Sequence, residues 1–160
     1  MNIEIVEVAT FKFAKKGSRI LQAESLGSAV GIGLYDTVNK KGGIYTFMFP
    51  DSTQATTDLS QYPLLFADTG LRKFFIAAYE YGIILDLAKV VVCGGAHFLD
   101  IIGGFNLGEK NCRAIENWLQ LAGVGVDLKD IGGIENRTLE VNFKTGIVRV
   151  ICTDDATIQV

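Results

Sequence analysis

The sequence predicts an α+β fold in which two helices cover a β-sheet. Two segments repeat apolar residues at helical spacing, and they are separated and flanked by short runs with strand-like alternation or β-branched content. The resulting order is strands, helix, strand, helix, strands, which is typical of this class. With 160 residues, positions 1–160 are expected to form a single domain whose core suffices for folding.

A β-hairpin is predicted near the centre of the first half of the chain. Residues 29–35 and 43–49 are apolar and extended in character, and the turn-forming sequence at 39–42 separates them. Pairing of these strands would bring positions 29 and 46 close together. The other segments predicted to be extended are 3–8, 10–13, 19–23, 88–93, 138–143 and 147–152.

The two helices are recognised from both their apolar faces and their termini. Asp68 is a candidate N-cap for the first helix, which is expected to end at Gly82. Asn106 is a candidate N-cap for the second helix, with Glu109 in the capping-box position. Gly123 is expected to end that helix.

Composition and charge exclude several classes of protein. The net charge is −3, and the chain has no basic run longer than the pairs Lys15-Lys16, Lys40-Lys41 and Arg72-Lys73, which argues against a nucleic-acid partner. No apolar stretch is long enough to cross a membrane, and the first residues lack a signal-peptide pattern. We therefore expect a cytoplasmic protein without membrane insertion; its oligomeric state stays open.

The cysteines do not suggest a metal site. Cys93, Cys112 and Cys152 are widely spaced, and the chain has one histidine, His97. Zinc sites commonly use closely spaced Cys and His pairs. We expect reduced, structural thiols, with neither a metal nor another cofactor.

One short segment carries a family resemblance. Ser25-Leu26-Gly27-Ser28-Ala29 resembles the Gly-Leu-Gly-Ser-Cys segment of the CheD family, the chemoreceptor glutamine deamidases. In that family the final cysteine is the nucleophile, whereas this chain has Ala29. The resemblance also aligns Thr46 with the catalytic histidine and Ala23 with a threonine near the nucleophile. It thus marks Ala29, Thr46 and Ala23 as degenerate catalytic positions, and residues 25–28 as their supporting loop.

The resemblance extends from about position 24 to position 150. It implies a three-layer α/β/β sandwich, related to the deamidase domain of cytotoxic necrotizing toxins, with two main helices on a mixed sheet. Where the family has an asparagine after its second Gly-Gly pair, this chain has Ile134. The further segments that look like family motifs are 66–69, Gly94-Gly95-Ala96, 106–111, 130–133 with Arg137, and Thr145-Gly146.

The substituted residues predict loss of the family's chemistry. Hydrolysis of a glutamine side chain by this route needs a thiolate and an imidazole that exchanges protons with it. Ala29 offers a methyl group, and the hydroxyl of Thr46 is not a base near neutral pH. Loss of a nucleophile costs roughly a millionfold in rate in a serine protease. We therefore predict a catalytically degenerate CheD-like protein that binds chemoreceptor cytoplasmic helices or a CheC-like phosphatase, as the resemblance implies.

Two alternatives remain at this stage. Cys93 and His97 flank the segment 94–96 and would form a relocated catalytic pair in an active amidase. A homo-oligomeric structural module is the other alternative. The resemblance also places a protein-binding face at this loop, with Gly94, Gly95, Ala96, His97 and Phe98 as candidates for partner contact.

Overall fold

Two five-stranded sheets and two helices stack in three layers in the computed structural model, which describes residues 2–97 and 106–160. This arrangement confirms the predicted α+β class with helices on mixed sheet. The strands are β1 (Asn2–Ile5), β2 (Phe11–Lys15), β3 (Arg19–Ala23), β4 (Val30–Asp36), β5 (Lys41–Phe47), β6 (Ala88–Gly94), β7 (Leu128–Ile131), β8 (Arg137–Asn142), β9 (Val148–Cys152) and β10 (Thr157–Gln159). The helices are α1 (Ala67–Tyr81) and α2 (Leu107–Ala122), and short 3-10 turns occur at Ser52–Gln54, Pro63–Leu65 and Leu85–Leu87.

Each sheet contains one parallel strand pair. The outer sheet has the order β1-β3-β8-β9-β10, in which β1 and β3 are parallel. The central sheet has the order β2-β5-β4-β6-β7, in which β6 and β7 are parallel. The other pairs are antiparallel, so both sheets are mixed.

The central sheet is buried on both faces because side chains alternate across a strand. Ile32 and Leu34 of β4 face the helices, where they pack in a cluster with Phe74 of α1 and Ile115 of α2. Gly33 faces the outer sheet instead. A β-carbon there would make ordinary contacts with three aliphatic side chains of β8 and β9.

The predicted hairpin is confirmed, with its turn shifted by two residues. β4 and β5 pair from Val30–Phe47 to Asp36–Lys41, and the turn occupies residues 37–40. The shift follows from Asp36, whose carboxylate accepts hydrogen bonds from the amides of Val38 and Asn39 over 3.0 and 2.8 Å. This side chain therefore begins the turn.

Both helices start without the side-chain caps that the sequence predicts. Phe66, not Asp68, is the N-cap residue of α1, and its side chain makes no capping bond. Asp68 lies inside the first turn and accepts a 2.7 Å hydrogen bond from the hydroxyl of Ser52. Asn106 is the N-cap residue of α2 as predicted, but it has φ 42° and its side chain makes no capping bond. A hydrogen bond from a distant residue thus occupies Asp68, and a left-handed backbone accompanies the missing cap at Asn106.

The predicted helix ends are confirmed. Gly82 and Gly123 have φ values of 96° and 71°, a left-handed conformation that costs glycine little. In the part of the chain that the structure describes, neither helix is long and apolar enough to span a bilayer.

Candidate functional site

Strand register brings positions 29 and 46 to the same face of the central sheet. Thr46 on β5 pairs with Gly31 on β4, and Ala29 precedes Gly31 by two residues. Residues two apart share a face, so Ala29 and Thr46 are diagonal neighbours, a relation that typically separates Cα atoms by about 7–8 Å. Ala23, at the end of β3, belongs to the same buried cluster as Ala29. The three positions marked by the resemblance therefore lie between the two sheets.

The three positions are closed to solvent. Ala23, Ala29 and Thr46 are 1%, 3% and 0% exposed. Two of these side chains are methyl groups, which offer neither a nucleophile nor a hydrogen bond.

The hydroxyl of Thr46 is occupied by structural hydrogen bonds. It donates to the carbonyl oxygen of Glu7 over 3.1 Å and accepts from the amide of Ala9 over 3.2 Å. Ala9 itself has φ 61°, an uncommon left-handed conformation for a residue with a side chain. The residue that the resemblance aligns with the family's histidine therefore connects the segment between β1 and β2 to the central sheet.

The loop at 25–28 is held by the start of β8. The amides of Gly27, Leu26 and Ser25 donate over 2.8, 2.9 and 3.2 Å to residues 136, 137 and 138, in that order. The first and last acceptors are the side chains of Asn136 and Thr138. Nothing in the local sequence signals these roles, because the partners are more than 100 residues away.

The turn after β6 closes over the same loop. The amide of Gly95 donates to the carbonyl of Ala29, and that of Ala96 to the carbonyl of Gly27, both over 2.9 Å. Gly94 has φ 114°, and a β-carbon there would overlap the Ala29 carbonyl oxygen. Close backbone approach therefore requires glycine at this position.

Burial separates the candidates for partner contact. Gly94, Gly95 and Ala96 are buried, whereas His97 is exposed. The first three support the loop at 25–28 from within. Among the described residues of this segment, His97 is therefore the one that a partner can contact. Phe98 lies outside the described residues.

Asn111 joins the two segments that carry positions 29 and 46. Its side-chain amide, on α2, donates to the carbonyls of Ser28 and Met48 over 2.9 and 2.8 Å. The side chain is fully buried, and its Oδ1 has no hydrogen-bond partner among the described residues. The sequence pointed to Asn111 only as part of the family-like segment 106–111, without assigning it this role.

Cys93 and His97 occupy different environments. The Cys93 thiol is completely buried between the sheets. Burial raises its pKa far above the usual value; nearby Arg137 lowers it and Asp130 raises it, but burial dominates. His97 is exposed, and its amide donates to the carbonyl of Gly133. Buried thiols of high pKa are poor nucleophiles, which argues against this pair as a relocated site.

An ion pair between a buried arginine and a partly exposed aspartate links the two sheets beside the site. Arg137 on β8 contacts both carboxylate oxygens of Asp130 on β7, over 3.1 and 3.3 Å. Its Nη1 also donates to the carbonyl of Gly94 over 3.1 Å. Arg137 thus fixes the turn that closes over the supporting loop.

Comparison with known proteins gives consistent results. The family model described as CheD chemotactic sensory transduction matches residues 48–151, a range that begins two residues after Thr46. A probable chemoreceptor glutamine deamidase CheD 1 from Syntrophus aciditrophicus is 34% identical over 146 residues, covering 91% of both chains. Probable chemoreceptor glutamine deamidases CheD from Clostridium tetani and Pyrococcus horikoshii are each 32% identical, over 91% and 84% of this chain and 88% and 83% of their own. The similarity therefore extends over most of the chain.

Proposed function

Because this chain belongs to the CheD family, we propose that it is a chemotaxis protein that binds a partner of the family's deamidases without hydrolysing glutamine side chains. The observation that carries the proposal is an intact supporting loop around Ala29 and Thr46, which stand where the nucleophile and the base are expected. Loop hydrogen bonds, the glycine turn and the Asn111 bridge are all present.

Neither Ala29 nor Thr46 offers an electron pair suited to amide hydrolysis. Ala29 has no atom that can attack an amide carbon. The Thr46 hydroxyl is buried and already committed to Glu7 and Ala9, and it is too weak a base to accept a proton near neutral pH. A missing nucleophile raises the barrier by about 8 kcal/mol. Better binding does not lower that barrier when substrate and transition state gain equally.

The partner class follows from the relatives. The relatives are named as probable chemoreceptor glutamine deamidases, so the first partner to test is the cytoplasmic helical region of a chemoreceptor. A CheC-like phosphatase is the second. In either case the protein acts in the cytoplasm as a single domain over residues 1–160, occupying the surface that an active deamidase would use.

The test combines a chemical and a binding measurement on one receptor fragment. The purified protein is incubated with the fragment, with the Syntrophus relative as the active control, and both ammonia release and conversion of glutamine to glutamate are measured by mass spectrometry. We expect no conversion by this chain but its retention on the immobilised fragment. Conversion by the wild-type protein would overturn the proposal.

A pair of cysteine variants decides the origin of any activity that is found. Activity lost in Cys93→Ala but kept in Cys112→Ala would establish the relocated thiol instead. Both cysteines are buried, so the second variant controls for general damage to the core.

A further inference from the structure

We propose that the groove between α1 and the segment 59–65 is a self-association surface, which pairs two copies of this chain through antiparallel α1 helices. The groove has a volume of about 780 Å³ and lies on the side of the molecule formed by β2 and α1. The inference does not depend on the proposed function, because it involves none of the degenerate positions.

The α1 wall of the groove has the spacing of a helix-packing face. Lys73, Ile76, Ala77 and Glu80 all line the groove and follow the i, i+3, i+4, i+7 pattern. The Ile76 residue is 50% exposed although it is aliphatic. The row thus has an apolar centre, Ile76 and Ala77, with one charged residue at each end, an arrangement that can pack against a second helix.

This stripe is complementary to itself. When two α1 helices run antiparallel about a two-fold axis between Ile76 and Ala77, each Lys73 faces the Glu80 of the other copy. Each Ile76 then faces an Ala77, so that a large side chain meets a small one. A two-fold interface requires this property, since both copies present the same patch.

The charged ends of the stripe are available for such pairing. Lys73 and Glu80 are both exposed, and seven residues of helix separate them by about 10 Å along the axis. Within residues 2–97 and 106–160, neither takes part in an ion pair. A second copy supplies the opposite charge to each at the matching distance.

The opposite wall of the groove adds apolar area and is held in place. Tyr62 is 57% exposed at its rim. Behind it, the hydroxyl of Tyr45 donates to the carbonyl of Leu64 over 2.7 Å, and that of Thr69 to the carbonyl of Pro63 over 2.6 Å. A specific interface buries about 1,200 Å² or more in total, so this preformed wall must contribute alongside the stripe.

Sedimentation of charge-reversal variants tests the proposal. Wild-type protein is expected to show a concentration-dependent dimer. Lys73→Glu and Glu80→Lys each replace two attractive contacts by two repulsive ones and should raise the dissociation constant about tenfold. The double variant restores both pairs and should dimerise like the wild type.

An equimolar mixture of the two single variants supplies the sharpest readout. One chain then carries two acidic ends and the other two basic ends, so the mixture should form a heterodimer although neither variant dimerises well alone. Lys144→Glu, in the turn between β8 and β9, makes the same charge change elsewhere and should leave the dimer unchanged. A wild-type protein that is monomeric at all concentrations, or a dimer indifferent to both single reversals, would overturn the proposal.

Discussion

Thr46 makes two side-chain hydrogen bonds to a distant part of the chain. One is donated to the carbonyl of Glu7 and the other accepted from the amide of Ala9. Both partners lie in the connection between β1 and β2, close to 40 residues away. The residue has therefore acquired a structural role at the position where the resemblance predicts a catalytic one.

Replacing this hydroxyl measures that structural role. Thr46→Val keeps the branched shape but removes one hydrogen bond from the Ala9 amide and one from the Glu7 carbonyl, which keep their bonds to the Thr46 carbonyl and the Thr10 hydroxyl. At about 1 kcal/mol for each lost bond, it should lower the free energy of unfolding by about 2 kcal/mol in urea titrations. Thr46→Ser keeps the hydroxyl and loses one methyl group, which should cost about 1 kcal/mol. A valine variant as stable as the serine variant would contradict this account.

The free energy of unfolding should depend on pH through the carboxyl group of Asp36. Burial raises the pKa of its carboxyl, but hydrogen bonds from the Asn39 side chain and from the amides of Asn39, Ile84 and Val38 outweigh burial and lower it. A lowered pKa means that the stabilisation is present above the unfolded value of about 3.9 and is lost as the pH falls through the folded value.

The change in stability between about pH 5 and pH 3 should therefore be steeper in the wild type than in Asp36→Asn. Urea unfolding at fixed pH values checks this expectation. Because Asn39 and Ile84 lose good acceptors in the variant, its stability at pH 7 should also be lower. Equal slopes for the two proteins would show that this carboxylate does not couple to folding.

At the scale of elements, most strands and both helix ends could be predicted from local sequence, whereas the short strands β7 and β10 and the helix starts could not. The run 19–23 matches β3, and glycine marks both helix ends, because alternation and left-handed turns are local properties. The predicted cap at Asp68 was wrong because its carboxylate binds Ser52, sixteen residues earlier. Local pattern contains no information about such a partner.

The contact between α1 and β5 depends on a glycine inside the helix. A β-carbon at Gly70 would overlap the hydroxyl of Tyr45, which donates to the carbonyl of Leu64. Alanine ordinarily stabilises a helix by about 1 kcal/mol over glycine. Here Gly70→Ala should instead destabilise the protein by about 1–3 kcal/mol, because the core has no room for the methyl group.

Removing the Tyr45 hydroxyl tests this explanation. Tyr45→Phe removes the closest overlap with the added β-carbon, although the ring carbon Cζ still overlaps it, and it loses the hydrogen bond to Leu64. By itself it should cost about 1 kcal/mol. In that background, Gly70→Ala should cost less than in the wild type, by about 1 kcal/mol in a double-mutant cycle from urea unfolding. If the effects of the two substitutions on the free energy of unfolding are strictly additive, the cost of Gly70→Ala does not come from overlap with the Tyr45 hydroxyl.

At the scale of the whole molecule, the division of the strands into two sheets could not be predicted from the sequence pattern. Alternation predicts the strands, but β1 pairs in parallel with β3, and β8 joins β3 across more than 110 residues. The candidate functional site could likewise be predicted only in part. Positions 29 and 46 could be related through their hairpin, whereas the supporting contacts from residues 136–138 and Asn111 depend on how the two sheets and α2 assemble.

Arg137 is the residue through which the two sheets are joined most directly. It is 5% exposed on the outer sheet, and it contacts Asp130 and the Gly94 carbonyl of the central sheet. Arg137→Met should lower the free energy of unfolding by about 2 kcal/mol, because it leaves the partly buried Asp130 carboxylate without its cation and removes one of the two hydrogen bonds that the Gly94 carbonyl accepts. Arg137→Lys should recover only part of this loss, since an ammonium cannot bind both carboxylate oxygens in the same fork geometry.

A neighbouring ion pair supplies the control for this effect. Lys129 and Glu116 are also in contact, over 3.2 Å, but both side chains are 48% exposed. Lys129→Met should therefore cost at most about 1 kcal/mol. Adding Asp130→Asn to Arg137→Met should restore part of the stability, because the unpaired charge is removed. If Arg137→Met lowers the free energy of unfolding no more than Lys129→Met does, the ion pair contributes little to the packing of the two sheets. Their association would then depend on the apolar cluster between them.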